Sequence, residues 1–298
     1  MFIRDLLKQT NSFTDSEKLI AAYFLDARES VAKKSIRAIA ASTYASPSSI
    51  VRFCQKMGFS GLDDFRDRYL EELRYLSAEF EDVDPNVPFL ASDDPLETAG
   101  KLSALHAAII RDTRSLLSDA SLRTAASLLD CPTVYIITLS SSRSIARSFQ
   151  EKMMRIGRSV RICTDLHETR FEIVHSTPGQ CAFLFLSYTG ESEHCLVFAR
   201  LANEYGHRCA AVTSYGVNTL SSLVPCTLQV SAREKLISNL GDFSFPISCL
   251  YVLDVLYALL FQKDYDANRK KKIDSSRMDR SPMVRSSGRH SRNPLLDE

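Results

Sequence analysis

The sequence has no tryptophan and only 10 glycines and 10 prolines in 298 residues, which excludes a collagen-like or loop-dominated chain. It also lacks a charge excess. Its 37 Lys and Arg face 36 Asp and Glu, a net charge of +1, so it is neither a wholly basic coating protein nor an acidic disordered one. A local patch remains open, because an average hides patches. The eight cysteines are scattered with no C-x-x-C, and no His pair stands at zinc-ligand spacing. Cys163, Cys181, Cys209 and Cys226 fall in or near apolar segments, where a free thiol acts as a small hydrophobe. We therefore expect a reduced, cytoplasmic protein with no metal and no cofactor. The start, Met1-Phe2-Ile3-Arg4-Asp5, meets charge at once and has no leader-like apolar core. The most apolar run, Ile247 to Phe261, is shorter than the ~20 residues needed to span a bilayer and contains Asp254. It reads as a buried helix, and no membrane partner is expected.

What is present is ordinary globular material, 45% apolar and 24% charged, in a length suited to about two domains. Residues 1–78 carry helical periodicity. An acidic, Pro-containing stretch (Glu81-Asp82-Val83-Asp84-Pro85-Asn86-Val87-Pro88) opens a linker and connecting helix over 79–110. Strand-like runs then alternate with amphipathic helices over 111–262. Residues 263–298, rich in Lys, Arg and Ser, read as a disordered basic tail.

The first region has legible helix starts. Thr14-Asp15-Ser16-Glu17 is a capping box, Ser35 can cap a second short helix, and Ser46-Pro47 joins an N-cap hydroxyl to a first-turn proline. In the helix that follows, Ile50, Phe53, Cys54 and Met57 make one apolar face. Ser48, Ser49, Arg52, Gln55 and Lys56 occupy the opposite face. Gly58 and Phe59 supply a Schellman-type stop. Two short helices and a tight turn, the second helix exposing Arg and Gln, fit a helix-turn-helix that reads base edges in the major groove. Periodicity alone leaves a merely solvated polar face equally open, and Arg52 could pair with a neighbouring acid instead.

In the second region, Val134–Leu139, Val160–Cys163, Ala182–Leu186, Arg208–Thr213 and Thr227–Val230 read as buried parallel strands. Helical segments such as Ser144–Ile156 and Glu191–Tyr205 separate them, so the expected fold is α/β, a five-stranded parallel sheet covered by helices. Two strand ends are rich in hydroxyls: Thr138-Leu139-Ser140-Ser141-Ser142-Arg143-Ser144 and Ser187-Tyr188-Thr189-Gly190-Glu191-Ser192. Each leads into a helix whose free amides and dipole favour an anion. Helix capping alone accounts for such residues too.

Ser46-Pro47-Ser48-Ser49-Ile50-Val51-Arg52-Phe53-Cys54-Gln55-Lys56-Met57-Gly58-Phe59 closely resembles the recognition helix of the RpiR (MurR/RpiR) family of bacterial transcriptional regulators, and Thr14 to Arg28 resembles that family's first helix. The resemblance extends more loosely to about Phe261. It implies an all-α helix-turn-helix domain joined to a SIS (sugar isomerase) domain that senses a phosphosugar. Ser187, Thr189, Gly190 and Ser192 match the SIS loop S-x-S/T-G-x-S/T. Of the earlier G-x-G-x-S turn only the serine is kept, as Ser142; Thr138 and Ser140 stand where glycines are usual.

The resulting expectation is a transcription factor that reads double-stranded operator DNA, an inverted repeat, as a homodimer or tetramer. Ser46, Ser48, Ser49, Arg52, Gln55 and Lys56 serve the DNA. Ser142, Ser187, Thr189 and Ser192 bind a small phosphorylated sugar or amino-sugar effector. No catalytic residue is expected: an isomerase needs a placed base, and of Glu191, His194 and His167, His194 reads as a surface or packing residue. A SIS domain kept only for oligomerisation and a sugar-phosphate isomerase are the alternatives. The apolar helix Phe243–Phe261 reads as core, interface or both.

Overall fold

The computed structural model describes residues 2–77, 83–139 and 142–278. They form two bodies, one built from the N-terminal helices and the other beginning at Val83.

The first body has helices α1 (Ile3–Lys8), α2 (Asp15–Ala27), α3 (Ile36–Ser42), α4 (Pro47–Lys56) and α5 (Leu62–Ser77). Its caps follow the side chains. Thr14 Oγ1 accepts from the Glu17 amide while Glu17 reaches back to the Thr14 amide at 2.7 Å. Ser35 and Ser46 cap α3 and α4. After α4, Gly58 takes φ +91° and the amides of Gly58 and Phe59 return to the carbonyls of Gln55 and Cys54, closing the helix end as a Schellman motif. Leu7, Ile20, Phe24, Ile39, Ile50, Phe53, Cys54, Phe65 and Tyr69 share one core. The Phe24 and Phe65 rings are 4.6 Å apart, and Tyr69 donates to the Phe24 carbonyl at 2.8 Å. At the start of α1 the buried Glu72 carboxylate accepts from the Ile3 and Arg4 amides. Burial still pushes its pKa above the ordinary carboxylate value.

The second body opens with α6 (Pro95–Leu116) and α7 (Asp119–Leu128). It then alternates β1 (Thr133–Thr138), α8 (Ser142–Arg155), β2 (Ser159–Cys163), α9 (Leu166–His175), β3 (Cys181–Leu186), α10 (Glu193–Glu204), β4 (Arg208–Ser214), α11 (Thr219–Leu223) and β5 (Cys226–Val230). Helices α12 (Ser244–Gln262) and α13 (Tyr265–Met278) follow. All pairings are parallel, in the order β2-β1-β3-β4-β5. Alternation along the strands divides the core in two. Val134, Ile136, Leu184, Leu186 and Val212 face α7, α8 and α12; Tyr135, Ile137, Phe183, Phe185 and Ala211 face α9, α10 and α11. By length and composition α12 could cross a membrane, but Cys249, Val252, Leu253, Leu256 and Leu260 pack it into the first of these layers.

Two expected boundaries need correction. The stretch read as linker belongs from Val83 onward to the second body, and its helix continues to Leu116, past residue 110. Nor is the start of the tail structureless. Ala267, Lys270, Lys271 and Lys272 are good helix formers, and Asn268 ties α13 to the Phe261 carbonyl at 3.1 Å. Ser275 further bonds the Arg155 carbonyl at the end of α8. Residues 279–298 of that tail, and 79–82 of the linker, lie outside the described residues.

Candidate functional site

Each body presents one candidate surface. On α4 and its N-cap, Ser46, Ser48, Arg52 and Gln55 are exposed. Ser46 Oγ accepts from the Ser49 amide at 3.1 Å and shares a hydrogen bond with the Ser49 hydroxyl, so both serines fix the helix start. Ser48 and Gln55 make no side-chain hydrogen bond among the described residues. Arg52 only reaches Ser49 Oγ, at 3.5 Å, and no described carboxylate pairs with it. Its guanidinium is thus available to a guanine edge.

Lys56 is placed differently from its neighbours. Its ammonium donates to the Ser12 carbonyl and to Glu17 Oε2, both at 2.8 Å, and lies 5.5 Å from the centre of the Phe13 ring. The ammonium, followed by the Thr14 amide, holds the Glu17 carboxyl below its ordinary pKa. Lys56 therefore staples α4 to the start of α2.

In the second body, Ser142, Ser187, Thr189 and Ser192 line a single cavity of about 280 Å³. It lies beyond the carboxyl ends of β1 and β3, between which the strand order reverses; this is where open α/β sheets bind ligands. Ser187 follows β3, Ser142 begins α8, and Ser192 is the N-cap of α10 with no side-chain cap bond. The hydroxyls of Ser142 and Ser187 have no partner among the described residues. Thr189 Oγ1 accepts from the Glu191 amide at 3.1 Å. Two helix amino termini thus converge with spare hydroxyls, an arrangement suited to an anion.

The loop's shape is enforced from behind. Gly190 has φ +66°, and a Cβ there would stand 2.1 Å from Asn218 Oδ1, so only glycine fits. Its carbonyl accepts from the Leu220 amide, and Glu191 accepts from the Thr219 amide at 2.8 Å. Thr138, at one of the usual glycine positions, is fully buried and donates to the Leu186 carbonyl. It does not line the cavity; Leu139 does. Ser140 and Ser141 lie outside the described residues.

The opposite wall escaped the sequence reading. Glu234, Lys235, Asn239 and Asp242, from the loop between β5 and α12, also line the cavity. Lys235 is the one cation among the described lining residues. Glu234 is buried and accepts from the Phe243 and Ser244 amides, while burial pushes its pKa up. Asn86 holds this loop, accepting from the Lys235 amide at 2.7 Å through its side chain and from the Leu240 amide through its carbonyl. Arg233 is fixed to Asp112 by two bonds of 3.2 Å. The only advance signal was a polar segment after a strand's carboxyl end.

The three groups considered as bases do not line the cavity. Glu191 serves the Thr219 amide, and His194 Nε2 is buried without a partner; burial, then Arg143, lowers its pKa. His167 stands edge-on to Phe171. Among the described residues no cluster of His, Cys, Asp and Glu could hold a metal.

A helix-turn-helix body followed by a parallel α/β body is the two-domain layout of a class of helix-turn-helix transcriptional regulators. Residues 2–74 match the model of the rpiR-family helix-turn-helix domain and residues 127–257 that of the SIS domain. The chain therefore belongs to the RpiR family of helix-turn-helix transcriptional regulators with a SIS domain. Relatives include the uncharacterised HTH-type regulator YbbH of Bacillus subtilis (strain 168), 25% identical over 84% of this chain and 87% of its own. An uncharacterised HTH-type regulator of Haemophilus influenzae is 27% identical over 86% and 88%. Among solved structures, Vibrio vulnificus NanR complexed with ManNAc-6P has a TM-score of 0.59 at 19% identity, covering 93% of this chain and 97% of that one. The sugar isomerase domain of an RpiR transcription factor from Sphaerobacter thermophilus has a TM-score of 0.52 at 14% identity, over 60% and 98%.

Proposed function

We propose that this regulator works in the bacterial cytoplasm as a homodimer or tetramer on an inverted-repeat operator, and that a small phosphorylated sugar or amino sugar controls it through the SIS cavity. The observation that carries the reading is the convergence of Ser142, Ser187, Thr189 and Ser192 on one cavity at the β1/β3 switch point. The hydroxyls and helix amides would receive the phosphate, with Lys235 as counter-charge and Glu234, Asn239 and Asp242 facing the sugar hydroxyls. The binding of ManNAc-6P by NanR supports this ligand class. Ser46 and Ser49 set α4, and Ser48, Arg52 and Gln55 read the DNA. Control requires the DNA-competent and incompetent states to differ in effector affinity, since equal affinity shifts nothing.

The test uses a duplex selected from a random pool by the full-length protein. Arg52→Ala should weaken binding to it by about 1–3 kcal/mol, the value of one bidentate base contact. Ser187→Ala should keep duplex affinity and abolish its response to the sugar phosphate that the wild type senses. A full response in Ser187→Ala would move the effector away from this loop.

A further inference from the structure

The turn between α3 and α4 contains Tyr44 at φ +53°, a left-handed backbone that bulky L-residues avoid. Glycine takes this conformation without strain, and helix-turn-helix turns often contain one. Packing does not offset the strain, because the Tyr44 side chain is 93% exposed. Its phenol makes no hydrogen bond and its ring meets no other ring among the described residues. A large aromatic is thus held out from the protein in a disfavoured conformation, two residues before the Ser46 cap. Backbone outliers of this kind cluster at binding surfaces.

When a recognition helix enters the major groove, its first turn meets base edges and the chain preceding it comes alongside the backbone. A tyrosine hydroxyl is among the groups that hydrogen-bond phosphate there. We infer that Tyr44 is a DNA contact, its phenol donating to a phosphate at the edge of the groove that α4 enters. The inference rests on α4 being the DNA-reading helix. Because phosphates carry no sequence information, this contact sets affinity and register rather than base choice.

The test measures fluorescence anisotropy of full-length protein with the selected duplex and with an unselected one, beside each variant's Tm. Tyr44→Gly relieves the backbone and deletes the phenol. Its Tm should equal or exceed the wild type's while affinity falls about tenfold on both duplexes, as for loss of a hydrogen bond to a charged group. Tyr44→Phe, which keeps the ring, should show most of the same loss. Wild-type affinity in Tyr44→Gly, or in Tyr44→Phe, overturns the phosphate contact; a lowered Tm in Tyr44→Gly overturns the premise that the ring serves nothing in the fold. Failure of the wild type to bind either duplex would sink the reading of α4 as well. Binding that is lost in Arg52→Ala but kept in Tyr44→Gly would sink the Tyr44 contact alone.

Discussion

Gly190 sits where the loop from Ser187 to Ser192 turns against Asn218, and any side chain there meets two obstacles. The positive φ costs about 1–3 kcal/mol, and overpacking Asn218 adds about 1–3 kcal/mol. Gly190→Ala should accordingly lower the urea midpoint and lose sugar-phosphate binding; a variant of wild-type stability would show that Asn218 moves aside freely. Glu234 makes a separate prediction. Burial raises its folded-state pKa above the ordinary 4.5, so above pH 4.5 the folded chain holds more proton than the unfolded one. Stability then falls as pH rises through that window. Measured as Tm against pH, wild type should lose ground to Glu234→Gln from pH 4.5 toward neutrality. A constant gap between the two would mean that Glu234 titrates like a solvated carboxylate. Ser187 and Ser192 were legible as lining residues only through the resemblance of their loop to S-x-S/T-G-x-S/T, because helix capping alone accounts for a hydroxyl-rich strand end. Glu234 and Lys235 were not, since their place depends on how a loop folds over a distant cavity.

At the scale of the element, α4 shows why a helical face cannot be read as one unit. Ser48, Arg52, Gln55 and Lys56 share an exposed face by periodicity, but Lys56 at the last turn meets the start of α2 and is held by Glu17. Lys56→Ala should cost less than about 1 kcal/mol, the usual worth of an exposed pair. It should also leave the salt dependence of DNA binding unchanged. A decrease of about one in that slope would instead make Lys56 a phosphate contact. The caps and strands were readable because each rests on local chemistry: Thr14 with Glu17, Ser46 with Pro47, and apolar runs such as Val134-Tyr135-Ile136-Ile137. Helix α13 was hidden because its lysines suggest a solvated tail. What orders it is the bonding of Asn268 and Ser275 to Phe261 and Arg155, which composition does not record.

For the whole molecule, both bodies were legible from the alternation of periodicities, but the border between them was not. Asp84-Pro85-Asn86 has the composition of a linker, whereas Asn86 completes the cavity wall by holding the loop of Lys235 and Leu240. An inverted-repeat operator calls for a two-fold protein, so light scattering of the full chain should give a dimer or tetramer mass. A monomer at working concentration would contradict that reading. The decisive measurement for phosphosugar control is a thermal-shift titration of the full-length protein with sugar phosphates and their unphosphorylated parents. A ligand at about 100 times its Kd adds ~2.7 kcal/mol of stability, a readily visible shift, which should appear only when the phosphate is present and disappear in Ser187→Ala. No shift across a broad panel, or an equal shift from the parent sugar, would contradict a phosphosugar sensor in this cavity.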